Sequence, residues 1–165
     1  MAKAAPIPGL APRTRFGDAA AAAVELRSAE VFEHARGVLD VNDIERVHDM
    51  RVATRRLRAV LEVFAACFPN KRHRRLLAEV KALADALGER RDPDVAIEEL
   101  AKLADGLGAP QRPGIAGLIE ELRAEQLEGN RVLAGMLRRV HERGLEDRLA
   151  ELARSARAEQ EQQTA

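Results

Sequence analysis

The sequence contains few aromatic residues: among its 165 residues there are four Phe, no Tyr and no Trp. Many nucleic-acid-binding modules stack bases on exposed aromatic rings, so this scarcity weighs against that class of protein. Alanine, leucine, arginine and glutamate dominate the composition instead. These residues favour helices and give little support for a β-sheet.

Cysteine and long apolar runs are also scarce. Cys67 is the single cysteine, which excludes a disulfide within the chain and is compatible with a reducing compartment. No apolar run reaches the roughly 18 residues that a membrane-spanning helix needs. Residues 1–17 contain three prolines and no hydrophobic signal core, so we expect a disordered leader on a cytoplasmic protein.

The chain carries no net charge, because 27 basic residues balance 27 acidic residues. The charges are unevenly distributed, however. The segment from Arg46 to Arg75 holds nine Arg or Lys residues and two acids, whereas glutamates concentrate later in the chain. A localised positive field on a neutral protein indicates a site for an anion more than non-specific adhesion.

The main functional candidate is a predicted helix around His48. At about 100° per residue, His48, Arg51, Arg55 and Arg58 fall within an arc of roughly 80° and form a row about 15 Å long. We call these four residues the basic row. Apolar residues on the other side of the helix predict its core-facing stripe: Met50, Ala53, Leu57, Leu61 and Phe64. Surface helices usually interleave both charge signs, so a row of one sign suggests a polyanionic ligand.

Apolar spacing and terminal signals predict an all-α bundle of about five or six helices. The expected helical segments are 18–39, 42–68, 70–88, 92–103, 113–143 and 145–158, within a helical domain over 18–158. Residues 159–165 are expected to fray.

Several residues set the expected helix boundaries. Asp18 is the expected N-cap of the first helix, and Asn42 with Glu45 forms an expected capping box for the second. Gly88 is expected to end the third helix, and Pro93 to occupy the first position of a fourth. In the long helix that follows, Gln126 and Gly129 interrupt the apolar stripe, which indicates a bend or a close helix–helix approach.

The third predicted helix begins with Lys71, Arg72, Arg74 and Arg75. Cations at a helix N-terminus oppose the macrodipole, at a cost of about 0.3–1 kcal/mol each at low salt. Because arrangements that oppose stability are candidates for function, these residues and Lys81 form a candidate second wall beside the basic row. The alternative is a soluble turn without a ligand.

Two motifs resemble the CHAD family, the conserved histidine α-helical domain. They are VHDMRVATRRLRAVLEVF at Val47–Phe64 and LLAEVKALADALGERRDPDV at Leu76–Val95. Both motifs are long and lie in the family's order, and residues 18–157 can be aligned with one family repeat unit. The resemblance implies a helical bundle that binds inorganic polyphosphate in a basic groove or pore, alone or fused to triphosphate-handling domains, and that is not catalytic by itself.

The resemblance also implies roles for individual residues. The basic row occupies the family's histidine and arginine positions, Arg56 completes the Arg-Arg-x-Arg pattern, and Arg91 with Asp92 matches the second motif. Arg91 is either a phosphate contact or the partner of an acid that locks two helices, and Asp92 is an expected N-cap. The predicted polyphosphate-binding residues are His48, Arg51, Arg55, Arg56, Arg58, Lys71, Arg72, Arg74, Arg75, Lys81 and Arg91.

The sequence departs from the family in one respect. Family members typically hold two such units, but here only His48 has an arginine three residues later. We therefore expect half of a two-repeat architecture. Such a half exposes the surface that its twin would cover, and it should pair with a second copy, most simply as a two-fold homodimer.

Three functions compete on these observations. The first is a cytoplasmic polyphosphate-binding module, located at polyphosphate granules or beside a polyphosphate-metabolising enzyme. The second is a helical protein that binds nucleic acid or other polyanions, against which the scarce aromatics and the missing recognition-helix motif weigh. The third is an enzyme, which would need a nucleophile or carboxylates that hold Mg²⁺.

Catalysis is the least supported of the three functions. Asp49 and Glu62 are the only acids of the basic segment and lie on different helix faces. We therefore expect no catalytic residue, no metal site and no cofactor. A simpler alternative for the basic row is a solvated helix face whose arginines pair with neighbouring acids. In that case His48 has a structural role.

Overall fold

A computed structural model describes residues 4–108 and 110–163, with side chains described through residue 158. The described residues form five α-helices and no β-strand, which confirms the predicted all-α bundle. The helices are α1 (Phe16–His34), α2 (Ile44–Val63), α3 (Asn70–Asp105), α4 (Arg112–Glu142) and α5 (Leu145–Gln163), and a 3₁₀ turn (Ala65–Cys67) follows α2. None of the helices in the described part of the chain combines the length and apolar character that crossing a bilayer requires.

The first helix is displaced from its predicted boundaries. It begins at Phe16, before the predicted cap Asp18, whose carboxylate accepts a hydrogen bond from Arg15 Nε at 2.8 Å. It ends at His34, earlier than expected, because a turn containing Gly37 at a φ of +72° follows. Asp18 therefore pairs with a cation in the first turn instead of capping the helix.

The predicted capping box of the second helix is wrong. α2 begins at Ile44, and the Asn42 side chain donates to Asp40 Oδ1 at 3.2 Å rather than capping the helix. The helix also ends at Val63 rather than at Phe68, since the chain passes through the 3₁₀ turn before α3 starts.

α3 is one helix of 36 residues where the sequence predicted two. Gly88 does not end it, and Pro93 lies inside it. Because proline has no N–H, Pro93 leaves the Glu89 carbonyl without its usual helical donor. Arg90 and Asp94, one on each side of the proline, are joined by a hydrogen bond of 2.5 Å. This side-chain bond spans the turn in which the backbone bond is missing.

The core lies among α1, α2, the first half of α3, α5 and the C-terminal half of α4. Its largest fully buried apolar side chains are Met50, Leu57, Leu61, Leu76, Leu83, Leu87, Leu133, Leu145, Leu149 and Leu152. The apolar stripe predicted for α2 is buried except at Phe64, which is half-buried with its ring centroid 4.9 Å from that of Phe16. The opposite flank of α2 is thereby left for the basic row.

α4 packs directly against the α3 backbone at Gly129. A Cβ at this position would lie 3.1 Å from Arg90 Cα and 3.2 Å from the Glu89 carbonyl oxygen. The interruption of the apolar stripe at Gln126 and Gly129 therefore marks a close approach of two helices, one of the two predicted explanations. Gly144, at a φ of +59°, separates α4 from α5 as predicted.

The distal ends of α3 and α4 extend beyond this core. Residues 95–105 of α3 and 112–128 of α4 are all described, and none of their side chains is buried. We call these two segments the outer hairpin. Several of its large apolar side chains are exposed, namely Val95, Leu103, Leu118 and Leu127.

The chain ends are described only in part. Ala5 is tied to α1, since Arg27 Nη2 donates to its carbonyl at 2.8 Å and its N–H donates to Glu30 Oε1 at 3.3 Å. α5 is helical through Gln163, beyond its predicted end. Residues 1–3, 164 and 165 lie outside the described residues, and the disorder expected for 1–17 and the fraying expected for 159–165 stay predictions.

The contact at Gly129 gives a first test of the fold. We expect Gly129→Ala to lower the free energy of unfolding by about 1–3 kcal/mol, because its Cβ would press on the α3 backbone, which cannot rotate away. Urea unfolding followed by circular dichroism at 222 nm measures the change.

Gly135→Ala is the matched control on the same helix, because a Cβ there meets nothing within 4 Å. It should raise stability by up to about 1 kcal/mol through helix propensity alone. Equal stabilities for the two variants would contradict the close approach.

Candidate functional site

The basic row lies on a flank of α2 that is not buried in the core. His48, Arg51 and Arg58 are half-buried and Arg55 is exposed. The row is therefore close enough to the body of the protein to be held in place, yet open to solvent. Arg56 is half-buried and lies about 80° from His48 around the helix, so it faces a different flank from the row.

Two arginines of the row have no partner among the described residues. Arg51 and Arg55 make no hydrogen bond or ion pair with any of them, and neither does His48. By contrast, Arg123 and Arg131 of α4 each pair with a glutamate three residues away. Within the described part of the chain, the centre of the row is thus not a solvated face neutralised by neighbouring acids.

A carboxylate marks the C-terminal end of the row. Arg58 Nε donates to Glu62 Oε1 at 3.0 Å, and Lys81 Nζ of α3 lies 3.2 Å from the same oxygen. The hydrogen bonds from Arg58 and then Lys81 lower the pKa of the Glu62 carboxyl below its ordinary value. Glu62 therefore links α2 to α3 and stays ionised at neutral pH, where it offsets part of the charge of both cations.

The five cations proposed as a second wall do not form one surface. Lys81 lies beside the basic row through Glu62, and Arg74, seven residues before it, shares its face of α3. Lys71, Arg72 and Arg75 instead line a pocket with residues of α5. Two cations of the predicted wall, Arg74 and Lys81, thus lie on the side of α3 next to the row. The other three line the pocket beside α5.

Arg91 lies among acids rather than beside the unpaired cations. It is 8% exposed, and its guanidinium nitrogens are 3.7 Å from Asp94, 3.8 Å from Glu98 and 3.9 Å from Glu45 of α2. This placement fits the alternative in which Arg91 pairs with acids between helices, while direct phosphate contact stays a prediction. Asp92 is exposed within α3 and does not cap a helix, contrary to expectation.

The sequence interpretation missed a buried polar network next to Arg91. Arg90 is fully buried, with Nη1 bound to Asp94 at 2.5 Å and Nε donating to Asn130 Oδ1 at 3.1 Å. Gln126 Nε2 donates to Asp94 at 2.6 Å. A signal was present, because Arg90 and Asp94 continue the apolar ridge of α3 at the spacing of Leu87.

One histidine has a clear structural role, namely His73. His73 is buried in α3, its Nε2 donates to the Leu61 carbonyl at 2.8 Å, and its ring stacks on Phe68 with centroids 5.6 Å apart. It fixes the start of α3 against the end of α2. Among the described residues, no group of three or more His, Cys, Asp or Glu side chains is arranged to hold a metal ion.

Comparison with known proteins places the chain in a family. A family model described as the CHAD domain matches residues 22–165, and CHAD domains are associated with polyphosphate-related proteins. Neither the curated proteins nor the solved structures contain a match. The matched range includes α2 with its basic row and all of α3. Since the match covers nearly the whole chain, the protein belongs to the CHAD-domain family.

Proposed function

We propose that the protein binds inorganic polyphosphate through the basic row. The observation that carries this proposal is the pair of unpartnered arginines, Arg51 and Arg55, on one open flank of α2. Each guanidinium offers a planar fork of donors to phosphate oxygens and stays charged at all physiological pH values. Polyphosphate carries about one negative charge per phosphate and has no bases, so it needs a row of cations and no aromatic platform.

The proposal describes a binding module without catalytic activity. Catalysis of phosphoryl transfer would call for carboxylates free to hold Mg²⁺ beside the phosphates. The Glu62 carboxylate at the C-terminal end of the row is already engaged by Arg58 and Lys81. We further propose that the protein works in the cytoplasm, at polyphosphate granules or beside a polyphosphate-metabolising enzyme.

The competing function is binding of nucleic acid or of polyanions in general. Titration of the protein with long-chain polyphosphate at near-physiological salt, in excess duplex DNA, separates the two. Binding that survives the DNA supports polyphosphate selectivity. Binding that the DNA abolishes would favour the nucleic-acid function and reduce the row to a generic basic patch.

Removing the two unpartnered arginines should weaken binding without affecting the fold. For Arg51→Gln/Arg55→Gln we expect a large loss of polyphosphate affinity. The slope of log K against log salt should become shallower by roughly 1–2 units, because two phosphate contacts and their counterions are lost. Titrations at several salt concentrations measure both quantities.

A control with the same change in charge is Arg123→Gln/Arg131→Gln on α4. This variant should keep the wild-type affinity and slope, since both arginines are paired with glutamates away from the row. If the row variant and this control bound equally well while circular dichroism showed both folded, the binding site would not be on α2.

Substitution of Glu62 should raise polyphosphate affinity instead of lowering it. Glu62→Gln removes a negative charge that lies 3.0 Å from Arg58 and 3.2 Å from Lys81, so both cations become available to phosphate. We expect polyphosphate affinity to rise by about two- to fivefold. The effect should be complete at neutral pH, because the lowered pKa keeps wild-type Glu62 ionised there.

Glu99→Gln serves as the matched control for this substitution. Glu99 Oε1 forms a salt bridge with Lys102 Nζ at 2.8 Å on the outer hairpin, away from the row. An equal gain in affinity for both variants would point to net charge rather than to the local pairing at Glu62.

We also propose that a second copy of the chain completes the binding groove. The chain holds one His-x-x-Arg helix, and its outer hairpin leaves apolar side chains uncovered. Leu103 is 52% exposed and Leu118 is 48% exposed. A groove of about 690 Å³ also lies between α3 and α4, and the partly exposed Val132 lines it. Exposed apolar surface of this kind favours association with another protein surface.

Sedimentation velocity tests this dimer. We expect a dimer for the wild type and a shift toward monomer for Leu118→Asp, with Val63→Asp, an exposed residue outside the hairpin, as the control. Since Glu89, Asp92, Glu125 and Glu128 line the groove between α3 and α4, a two-fold contact across that groove brings like charges together. Association should therefore strengthen as salt rises. A wild type that stays monomeric at all concentrations would rule out the dimer.

A further inference from the structure

The cations near the start of α3 are spread over about half of the helix circumference rather than lying on one narrow face. At about 100° per residue, their positions follow one another around α3 in steps of no more than about 60°. The order is Lys81, Arg74, Lys71, Arg75 and Arg72. The Lys81 end lies beside α2, because its Nζ contacts Glu62. The cations therefore form a curved path that starts at the basic row.

The other end of this path opens into a pocket between α3 and α5. The pocket has a volume of about 430 Å³ and is lined by Pro69, Lys71, Arg72, Arg75, Arg148 and Glu151. We call it the α3–α5 pocket. Lys71, Arg72 and Arg75 are exposed and make no hydrogen bond or ion pair with any described residue. Their donors are therefore available to a ligand.

Arg148 supplies a fixed wall of the pocket. Its Nη1 and Nη2 donate to the two carboxylate oxygens of Glu79 at 3.0 and 2.7 Å, which anchors α5 to α3 and orients the guanidinium. Glu151 is the one acid among the residues that line the pocket. Four cations thus face the two carboxylates of Glu79 and Glu151, and the pocket keeps an excess of positive charge.

The position of these cations is unfavourable in the absence of a ligand. Lys71 and Arg72 lie in the first turn of a 36-residue helix, at the positive end of its macrodipole, and repel one another and Arg75. None of the three gains a compensating ion pair within the described residues. An anion in the pocket removes this repulsion, so the cluster favours an anionic ligand with several charges.

We propose that the α3–α5 pocket is a second phosphate-chain site, and that a long inorganic polyphosphate follows the path around α3 to occupy the basic row and the pocket together. This inference rests on the proposed function of the row and adds a dependence on chain length. A short chain fills one site at a time. A chain that reaches both sites binds as a bivalent ligand, because the first contact raises the local concentration of phosphate at the second.

Calorimetric titration with inorganic tripolyphosphate and with long-chain polyphosphate tests this inference. It uses the wild type, the pocket variant Arg72→Gln/Arg75→Gln, the row variant Arg51→Gln/Arg55→Gln and the control Arg123→Gln/Arg131→Gln. We expect two tripolyphosphates per chain for the wild type and the control, and one for each of the other variants. Long-chain affinity of the pocket variant should fall at least about tenfold, while its remaining tripolyphosphate site keeps wild-type affinity.

The outcomes separate the two proposals. A pocket variant that binds long chains as tightly as the control overturns the bivalent site and leaves the basic row as the binding site. A row variant with wild-type affinity for long chains, together with a pocket variant whose long-chain affinity falls, overturns the proposed function of the row. The pocket then remains as the binding site. A wild type that binds neither chain overturns both. Circular dichroism verifies that each variant is folded.

Discussion

The buried pair of Arg90 and Asp94 is the interaction on which the relative placement of α3, α4 and the segment leading into α2 depends. Arg90 is fully desolvated, and removing one partner of such a pair costs about 3–5 kcal/mol, because the other charge stays buried without compensation. Asn130 of α4 accepts from Arg90 and in turn donates to the Leu39 carbonyl at 2.9 Å, while Gln126 donates to Asp94. The network thus joins α3, α4 and the connection that leads from α1 into α2.

The same network explains how one helix can contain both Gly88 and Pro93. Proline removes one backbone hydrogen bond at Glu89, and the side-chain bond between Arg90 and Asp94 crosses that turn. Gly129 then lets α4 pack directly against the α3 backbone at the weakened position. The functional consequence is that the cations at the start of α3 and the acid-bound Arg91 near its middle belong to one continuous helix. Their spacing is set by helix geometry and not by a flexible loop.

The sequence could predict what depends on local periodicity. The basic row and the buried stripe of α2 follow from 100° per residue, and so does the all-α class. It could not predict which neighbouring helix each side chain meets. One position around α3 decides that Arg90 makes the 2.5 Å bond to Asp94, while Arg91 lies 3.7–3.9 Å from Asp94, Glu98 and Glu45. The sequence interpretation chose Arg91. The division of the α3 cations was equally hidden, because the pocket exists only where α5 returns to α3 and brings Arg148.

The curvature of the cationic path has a bearing on selectivity. Duplex DNA is stiff over about 150 base pairs, so it can touch the row or the start of α3 but cannot bend around a single helix without a large deformation energy. Single-stranded nucleic acid is flexible enough, but the path offers no aromatic ring for its bases, and base stacking supplies much of the affinity of such complexes. Inorganic polyphosphate is flexible and has nothing to stack. On a protein without net charge, where screening confines the positive field to about a Debye length, the proposed binding depends on direct contacts along the path. A ligand that can follow the whole path makes the largest number of these contacts.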